Sequence, residues 1–336
     1  MSGCRDRQYR GGGHSIGLVI LYFIGWFLYQ PIVVFADDLP TELFWPDRYV
    51  FHRAEREQGL PSQNVTSVTQ DRLGFMWFGT YDGLARYDGQ RTVVYRSSKN
   101  DLNTVSGNTI TDLTMTPDGL LWIGTLENGV SSFDFRSAKF TRYLDSRSKK
   151  SGYQKTGVLF LHTSLDGTLW VGTRDGKLLR LHIPENKFEE EHFSMLGQNY
   201  VVSAVADGPK GKIWIGTLSG DLFLYDPHTK HAKSYYIGDY ISALMYEPQA
   251  NVLYIGTDWN GMVVMNLTTM DQTRYTHEHH QYDSLPGNEI SDFLFDPGGQ
   301  LWIATSGGLA RFNQHAKTFL TYHPERQLAG QLVASL

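Results

Sequence analysis

Four nearly identical pentapeptides recur along the chain: "LWIGT" at 121–125, "LWVGT" at 169–173, "IWIGT" at 213–217 and "LWIAT" at 301–305. Alignment on the aromatic residue adds copies at 76–80 and 253–257, and the six anchors then follow at intervals of 45, 48, 44, 40 and 48 residues. The aromatic and glycine positions are Trp77, Gly79, Trp122, Gly124, Trp170, Gly172, Trp214, Gly216, Tyr254, Gly256 and Trp302. Such a period, without 3.6-residue apolar stripes, indicates a repeated all-β unit.

Each unit has the same predicted order of four short strands. A first strand such as "ITDLTMT" at 110–116 ends in a turn, the motif strand follows, and a second turn leads into a third and an outer fourth strand. The second turn ends in a glycine that we expect to need a positive φ, at Gly83, Gly129, Gly176, Gly220, Gly261 and Gly308. Because a lone sheet cannot bury both faces, the units must stack around an axis as the blades of a β-propeller.

This architecture gives the pentapeptide a structural role. We expect the indole to fill the space between adjacent blades, and the glycine two residues later to lie where a neighbour comes too close for a Cβ. The same reasoning interprets Arg86 and Arg311, at equivalent third-strand positions, as exposed surface residues.

The composition is that of a globular chain, with 336 residues of which 41% are hydrophobic and 19% charged. Cys4 is the single cysteine, so the sequence excludes a disulfide framework and a cysteine-based metal site. The sequence has no glycine-rich phosphate loop, and we predict no cofactor.

The N-terminus is typical of an export signal. Three arginines precede the apolar run "IGLVILYFIGWFLYQPIVVFA" at 16–36, and Val34 and Ala36 fit the small-residue positions before a cleavage site. We predict a signal peptide at 1–36, a linker at 37–47 and the propeller at 48–336, on the extracytoplasmic, periplasmic side of the membrane. An uncleaved signal anchor is the alternative, because the run approaches a membrane-spanning length.

The net charge argues against some partners. The chain carries −5 at pH 7, and removal of 1–36, with three arginines and Asp6, takes away +2 and leaves −7. A negative field of this kind disfavours nucleic acid or an anionic membrane surface as the main partner.

The stretch "GLPSQNVTSVTQDRLGFMWFGTYDGLARYDG" at 59–89 resembles the two-component-regulator propeller repeat. The resemblance is carried by Gly59-Leu60, the turn at 71–74, Trp77 to Thr80, Gly83-Leu84 and Tyr87-Asp88, and it recurs through 313. It implies the extracytoplasmic sensor region of a hybrid histidine kinase or a membrane-bound diguanylate cyclase, in which seven repeats close a ring.

The end of the sequence aligns with the start of a further unit. "GQLVASL" at 330–336 aligns with "GNTITDL" at 107–113 and "GNEISDF" at 287–293, so we expect the seventh blade to be incomplete and the output domain to be missing. We also expect "RYVFHRA" at 48–54 to be a ring-closing strand and the full-length receptor to be a dimer, attached to the membrane through the signal anchor or a missing downstream helix.

The sequence contains few clusters of residues that could bind a metal or act in catalysis. His277, Glu278, His279 and His280 form the densest candidate metal cluster, but their spacing does not match a zinc helix, so we interpret them as a solvated loop and predict no metal. No catalytic residue is predicted.

We place a candidate ligand site at the mouth of the propeller, which is built by turns between second and third strands and by loops between blades. The candidate residues just after each motif are Tyr81, Glu127, Arg174, Asp175, Asp258 and Trp259. An aromatic ring beside a carboxylate suits a sugar face or a cation. The predicted function is ligand sensing, with an unknown small molecule or oligosaccharide as partner; the alternatives are a secreted propeller enzyme of the lyase type and a protein-interaction platform.

Overall fold

The computed structural model describes residues 59–144, 156–182, 187–191, 200–281 and 283–323. They form 24 strands in six four-stranded antiparallel sheets, each built from four consecutive strands. The predicted all-β propeller with six four-stranded blades is therefore confirmed. Within these residues, none of the helical segments has the length and apolar character needed to cross a membrane.

The first three blades occupy the N-terminal half of the described chain. Blade 1 contains β1 (Val65–Gln70), β2 (Met76–Thr80), β3 (Gly83–Tyr87) and β4 (Thr92–Tyr95). Blade 2 contains β5 (Ile110–Met115), β6 (Leu120–Thr125), β7 (Gly129–Asp134) and β8 (Lys139–Tyr143). Blade 3 contains β9 (Val158–Thr163), β10 (Leu169–Thr173), β11 (Leu178–His182) and β12 (Lys187–Glu190).

The other three blades repeat the arrangement. Blade 4 contains β13 (Val202–Asp207), β14 (Ile213–Thr217), β15 (Asp221–Asp226) and β16 (His231–Tyr236). Blade 5 contains β17 (Ile241–Glu247), β18 (Val252–Thr257), β19 (Met262–Asn266) and β20 (Gln272–Tyr275). Blade 6 contains β21 (Ile290–Phe295), β22 (Leu301–Thr305), β23 (Gly308–Asn313) and β24 (Thr318–Tyr322).

The first strand of each blade is the innermost one. The strands β1, β5, β9, β13, β17 and β21 contact one another in this order, around a common axis. Each pairs with the motif strand through a register shift near its start, which marks a β-bulge.

The hydrophobic core is divided into five clusters, each shared by two consecutive blades. Trp77 packs with Ile110 and Leu121 of blade 2, for example. The anchors of blades 2 to 5 occupy the same place in the other clusters, at Trp122, Trp170, Trp214 and Tyr254. The prediction that these aromatics fill the space between blades is therefore confirmed.

The motif glycine makes room for the next blade. A Cβ on Gly216 would lie 2.4 Å from Cγ2 of Ile241, and a Cβ on Gly79 would lie 2.7 Å from Cγ2 of Ile110. Both distances are shorter than real Cβ contacts, so the predicted close approach is confirmed at these positions. Gly172 differs, because the atom it would meet, at 1.9 Å, belongs to Phe160 on the neighbouring strand of its own blade.

Hydroxyl groups on the bulges link consecutive blades. Thr66 Oγ1 donates to the carbonyl of Ile110 at 2.9 Å, and Ser203 Oγ donates to that of Ile241 at 2.6 Å. Ser242 Oγ does the same with Ile290 at 2.6 Å. One apolar residue of the next blade therefore sits between a glycine and a hydroxyl of the blade before it.

The turns explain the remaining regularity of the repeat. All six glycines that end the second turn have φ between +72° and +133°, as predicted. The first turn also needs a left-handed residue: Gly74 and Gly119 both have φ +88°, and Asn251 takes this place in blade 5 with φ +51°. Asparagine tolerates this region better than other non-glycine residues, which explains how blade 5 manages without the glycine.

The motif indole is hydrogen-bonded to the end of the first strand. Trp77 and Trp302 donate from Nε1 to Asp71 and Asp296 at 2.8 and 3.0 Å. Trp122 and Trp170 donate to the hydroxyls of residues 116 and 164. In each case the acceptor lies six residues before the tryptophan, and in blade 4 that position is Gly208. Trp214 Nε1 is buried without a hydrogen-bond partner in the described part of the chain.

Gly208→Ser should therefore stabilise blade 4. Its backbone is extended, with φ −138°, and equivalent positions in the other blades carry side chains. A new acceptor for Trp214 is worth about 1 kcal/mol, although the Cβ would lie only 3.0 Å from the carbonyl of Lys212. We expect the serine variant to be more stable than Gly208→Ala by about this amount in urea denaturation. Equal stability of the two variants would contradict the assignment.

The prediction of exposure for Arg86 and Arg311 was wrong. Both are half-buried, and each lies directly opposite the motif tryptophan on the neighbouring antiparallel strand. The Arg86 guanidinium is 5.8 Å from the Trp77 ring centre, and that of Arg311 is 5.5 Å from Trp302. Opposed side chains share a face of the sheet, so the cation stacks on the indole.

Several predictions fall outside the described residues. These are the signal peptide or anchor at 1–36, the linker at 37–47, the strand at 48–54 and the start of a seventh blade at 330–336, and they stay predictions.

Candidate functional site

The last threonine of each motif closes the turn at one end of the blade. In all six blades its hydroxyl donates to the carbonyl of the residue that opens or directly precedes the third strand, at 2.8 to 3.1 Å. A backbone N–H of the same turn donates back to this hydroxyl, for example Asn260 N–H to Thr257 at 3.1 Å. We call these six turns the mouth turns; they comprise 81–82, 126–128, 174–177, 218–220, 258–261 and 306–307.

Each mouth turn is also tied to the start of the innermost strand. Its first N–H donates to the carbonyl of the residue just before that start, at 2.8 to 3.3 Å. The six bonds are Tyr81 to Asn64, Leu126 to Thr109, Arg174 to Gly157, Leu218 to Val201, Asp258 to Tyr240 and Ser306 to Glu289. The mouth is thus a rim of paired backbone segments, fixed by the same two kinds of bond in every blade.

The six predicted site residues all lie on mouth turns. They come from blade 1 (Tyr81), blade 2 (Glu127), blade 3 (Arg174 and Asp175) and blade 5 (Asp258 and Trp259). Asp258 is half-buried and the other five are exposed. Their placement at one end follows from the repeat, and their role in ligand binding stays a prediction.

The blade 5 mouth turn carries the most exposed aromatic ring of the rim. Trp259 is 70% exposed, and Tyr240 beside it is 48% exposed. Asp239 holds this turn in place, because its Oδ2 accepts from the N–H of Trp259 at 3.2 Å and from Nδ2 of Asn260 at 2.9 Å. The backbone of the turn is therefore held by hydrogen bonds, and the turn presents a large, exposed indole ring to solvent.

Three carboxylates surround this turn, and we call Asp239, Asp258 and Glu289 the acidic rim. Burial, and then the charges of Glu289 and Asp239, raise the pKa of Asp258 above its usual value. None of the three has a Lys, Arg or His partner within 4.0 Å in the described ranges. A basic side chain nevertheless lies at this turn, because Arg274 donates to the carbonyls of Asn260 at 3.0 Å and Ile237 at 3.1 Å.

Two acidic residues elsewhere on the mouth are paired, whereas Glu127 in blade 2 has no Lys, Arg or His partner within 4.0 Å in the described ranges. Asp82 in blade 1 forms an ion pair with Arg96 at 2.9 Å. Asp175 in blade 3 accepts a hydrogen bond from Thr156 at 3.0 Å and lies 3.8 Å from Lys177. In the described part of the chain, mouth carboxylates without a basic partner therefore occur in blade 2 as well as in blades 5 and 6.

A cavity of about 440 Å³ lies among the innermost strands. It is lined by polar bulge residues such as Thr66, Ser203 and Ser242, and by the carboxyl groups of Asp112 and Asp292. Asp112 connects three blades, since it accepts from Ser67 Oγ at 2.9 Å and from the N–H groups of Leu113 and Leu161 at 2.7 Å.

Asp112 should make stability depend on pH. Burial and then the charge of Asp292 raise its pKa to about 6, against the three hydrogen bonds that lower it. A raised folded-state pKa stabilises the protonated form, so the stability of the wild type relative to Asp112→Asn should fall by up to about 3 kcal/mol as pH rises from about 4 to about 7. Denaturation of both proteins across this range measures the difference; a constant difference would contradict the expected titration.

The described residues contain no group of three or more His, Cys, Asp or Glu side chains placed to hold a metal ion. In the histidine loop, Nδ1 of His277 lies 2.6 Å from the carbonyl of Leu285, and its ring packs edge-on against His279 at 4.9 Å. The half-buried His277 therefore supports the loop, whereas Glu278, His279 and His280 are exposed.

Sequence reasoning missed the second half of the mouth. Three of its residues, Asp239, Tyr240 and Glu289, lie just before the start of an innermost strand. In sequence they precede the motif of their blade, whereas the predicted site residues follow it. A signal in the sequence could have found them. The residues just before each predicted first strand must lie beside the mouth turn, because the first strand pairs with the motif strand that leads into that turn.

A family model described as "Two component regulator propeller" matches residues 59–82, 104–127 and 284–307. Three segments of the chain thus match the two component regulator propeller repeat. The resemblance drawn from 59–89 is therefore confirmed. The matched segments of the regulator propeller repeats end in the mouth turns of blades 1, 2 and 6.

Individual relatives resemble larger parts of the chain. A curated protein named "Histidine kinase P4" from Formosa agariphila is 25% identical over 288 residues, which are 81% of this chain and 20% of that protein. The extracellular domain of a hybrid two component system protein of B. thetaiotaomicron has a similar fold, with 23% identity and a TM-score of 0.53 over 77% of this chain and 38% of that one. The chain thus spans about a fifth of its curated relative.

A propeller of a different class is similar in fold alone. Catalytically inactive virginiamycin B lyase from Staphylococcus aureus has 11% identity and a TM-score of 0.62, with 80% of this chain and 88% of that chain covered. The propeller fold of this chain therefore also occurs in an enzyme.

Proposed function

We propose that this chain is the extracytoplasmic sensor region of a membrane signalling receptor and binds a small molecule or oligosaccharide at the mouth of the propeller. The observation that carries the proposal is the blade 5 mouth turn, where Trp259 is 70% exposed on a turn fixed by Asp239. An exposed aromatic ring beside carboxylates is suited to a sugar face or a cation. The regulator propeller repeats and the similarity to a histidine kinase support the signalling role.

The mechanism that we propose is a population shift. A ligand bound across several mouth turns would favour one arrangement of paired receptors over another, and could do so only to the extent that its affinity for the two differs. The output activity, kinase or cyclase, would belong to a further part of the receptor, on the other side of the membrane.

Composition of the mouth favours binding over catalysis. In the described ranges, the mouth turns and the residues that pair with them carry aromatic, acidic, aliphatic and small polar groups and the basic residues Arg174 and Lys177, but no histidine. A lyase would need a general acid–base group held over the substrate, and histidine is the residue that most often supplies it.

A ligand screen tests the proposal. The full chain would be exposed to a panel of oligosaccharides and small metabolites, with the thermal unfolding midpoint as the measurement. We expect at least one class to raise the midpoint, and Trp259→Ala to abolish this rise. Leu73→Ala is the matched control, since Leu73 is 75% exposed in the first turn of blade 1, at the opposite end of the sheet. A stabilising ligand that Trp259→Ala leaves unaffected would place the site elsewhere.

A further inference from the structure

The cavity among the innermost strands, which we call the central cavity, is widened by two alanines. In every blade one residue of the innermost strand lies directly opposite the motif glycine, or opposite the alanine that replaces it in blade 6. These six residues are Ser67, Asp112, Phe160, Ala204, Ala243 and Asp292. Blades 4 and 5 thus carry a methyl group where the other blades carry larger side chains, and both alanines line the cavity. Its volume of about 440 Å³ is within the range of small-molecule sites.

Asp112 shows which side-chain donor a carboxyl group at this strand position receives. Its Oδ1 accepts from Ser67 Oγ at 2.9 Å, and Ser67 occupies the same position one blade earlier. The serine hydroxyl itself accepts from the N–H of Leu113 at 3.1 Å, which fixes its place. The carboxyl group of blade 2 is therefore hydrogen-bonded to a hydroxyl group of blade 1.

Asp292 occupies this position in blade 6, but the blade before it carries Ala243 there. The backbone contact is repeated, because Asp292 Oδ1 accepts from the N–H of Phe293 at 2.8 Å, as Asp112 accepts from that of Leu113. The serine donor is not repeated, since alanine has no hydroxyl group. Asp292 and Ala243 both line the central cavity, so the place of that hydroxyl is open to a donor group of a ligand.

The hydroxyl groups of the lining act as acceptors towards a ligand. Those of Thr66, Ser203 and Ser242 donate their single proton to backbone carbonyls, which leaves only lone pairs for a further contact. No lysine or arginine is among the described residues that line the cavity, and His162 lies 3.4 Å from Asp207. The lining therefore favours a ligand that donates hydrogen bonds.

The lining also favours a positive charge on the ligand. The charge of Asp292 helps to raise the pKa of Asp112, and a cation near both carboxyl groups relieves this repulsion. The described residues contain no group of three or more His, Cys, Asp or Glu side chains placed to hold a metal ion, which favours an organic cation. An ammonium group supplies three N–H donors together with the charge, and charge-assisted hydrogen bonds are the stronger ones.

We infer that the central cavity binds a small primary amine. The ammonium group donates to Asp292, in the place that the Ser67 hydroxyl takes beside Asp112. The apolar part of the amine packs against Ala204 and Ala243. This site is formed by the innermost strands and is separate from the blade 5 mouth turn, so it does not depend on the proposed binding of a ligand at the mouth.

Three compounds of equal length test the inference. They are n-butylamine, 1-butanol and butyrate, which are a cation, a neutral donor and an anion at about pH 7.5. Binding of each to the full chain would be measured by calorimetry at constant ionic strength. We expect butylamine to bind, and the alcohol and the carboxylate to bind at least roughly tenfold more weakly. Equal affinity for butanol would overturn the role of charge. Failure of butylamine to bind would overturn the inference, whatever the ligand screen at the mouth shows.

Two matched variants test the place of the ammonium group. Ala243→Ser adds a hydroxyl beside Asp292, as Ser67 does beside Asp112, and should weaken butylamine binding roughly fivefold or more. Ala204→Ser adds the same group at the same strand position, but the next blade carries an alanine there, so the loss should stay below about twofold. Equal losses in the two variants, or no loss in either, would overturn the assignment to Asp292.

Discussion

Replacing Trp77 by alanine should lower the free energy of unfolding by about 3–5 kcal/mol, the usual cost of removing a large aromatic side chain from a core. Trp77 is fully buried, its Nε1 donates to Asp71 at 2.8 Å, and its ring stacks on Tyr95 at 5.6 Å. The side chain also packs against blade 2, so the variant loses contacts on both sides of an interface. Urea denaturation followed by far-UV circular dichroism measures the loss.

The control for this variant is Trp259→Ala. The two residues have the same chemistry, but Trp259 is 70% exposed, so its removal should change stability by less than about 0.5 kcal/mol. A comparable loss in both variants would contradict the division of the tryptophans into structural anchors and a mouth residue.

Glu191→Gln should cost about 3–5 kcal/mol, because it removes the charge from a buried ion pair. Glu191 is 4% exposed between blades 3 and 4. Its Oε1 lies 3.0 Å from Nε of Arg180, and its Oε2 accepts from the Tyr225 hydroxyl at 2.7 Å and pairs with Lys230. Burial and this carboxylate together raise the pKa of Tyr225 above its usual value, so the phenol remains a donor.

Glu190→Gln provides the comparison, because Glu190 is the neighbouring residue and pairs at 3.2 Å with Lys177, whose side chain is 42% exposed. A surface pair of this kind contributes about 0–1 kcal/mol. Chemical denaturation of both variants should separate the two effects. Equal losses would mean that Glu191 does not connect the blades as the structure indicates.

The fold was largely predictable because its determinants are local and repeated. The aromatic anchor, the glycine two residues later and the left-handed turn positions each have a fixed spacing, so the blades and the interblade role of Trp77 followed from the sequence. Contacts that depend on strand register were not predictable in the same way. Arg86 stacks on Trp77 only because the two residues are directly opposed across the strands, and Asp112 contacts blades 1 and 3 only because bulges set the innermost strands side by side.

The candidate site was predicted in part for the same reason. The motif threonine fixes the mouth turns, so residues such as Tyr81 and Trp259 could be assigned to one end of the propeller. Asp239, which holds the Trp259 turn, is 20 residues distant in sequence and belongs to the connection between blades 4 and 5. Its contact with the turn depends on the pairing of the first strand with the motif strand, so it becomes visible only when these two predicted strands are aligned.

The division of the core into pairwise clusters has a consequence for how such chains can change. Since every cluster involves only two successive blades, cohesion along the polypeptide is a nearest-neighbour property, as in linear repeat arrays. A whole blade could be duplicated, exchanged or diversified at its rim while the junctions farther along keep their original fit. The residues that contact a ligand can thus change in one blade, for example at the indole of blade 5, while the interfaces between the other blades keep their stability.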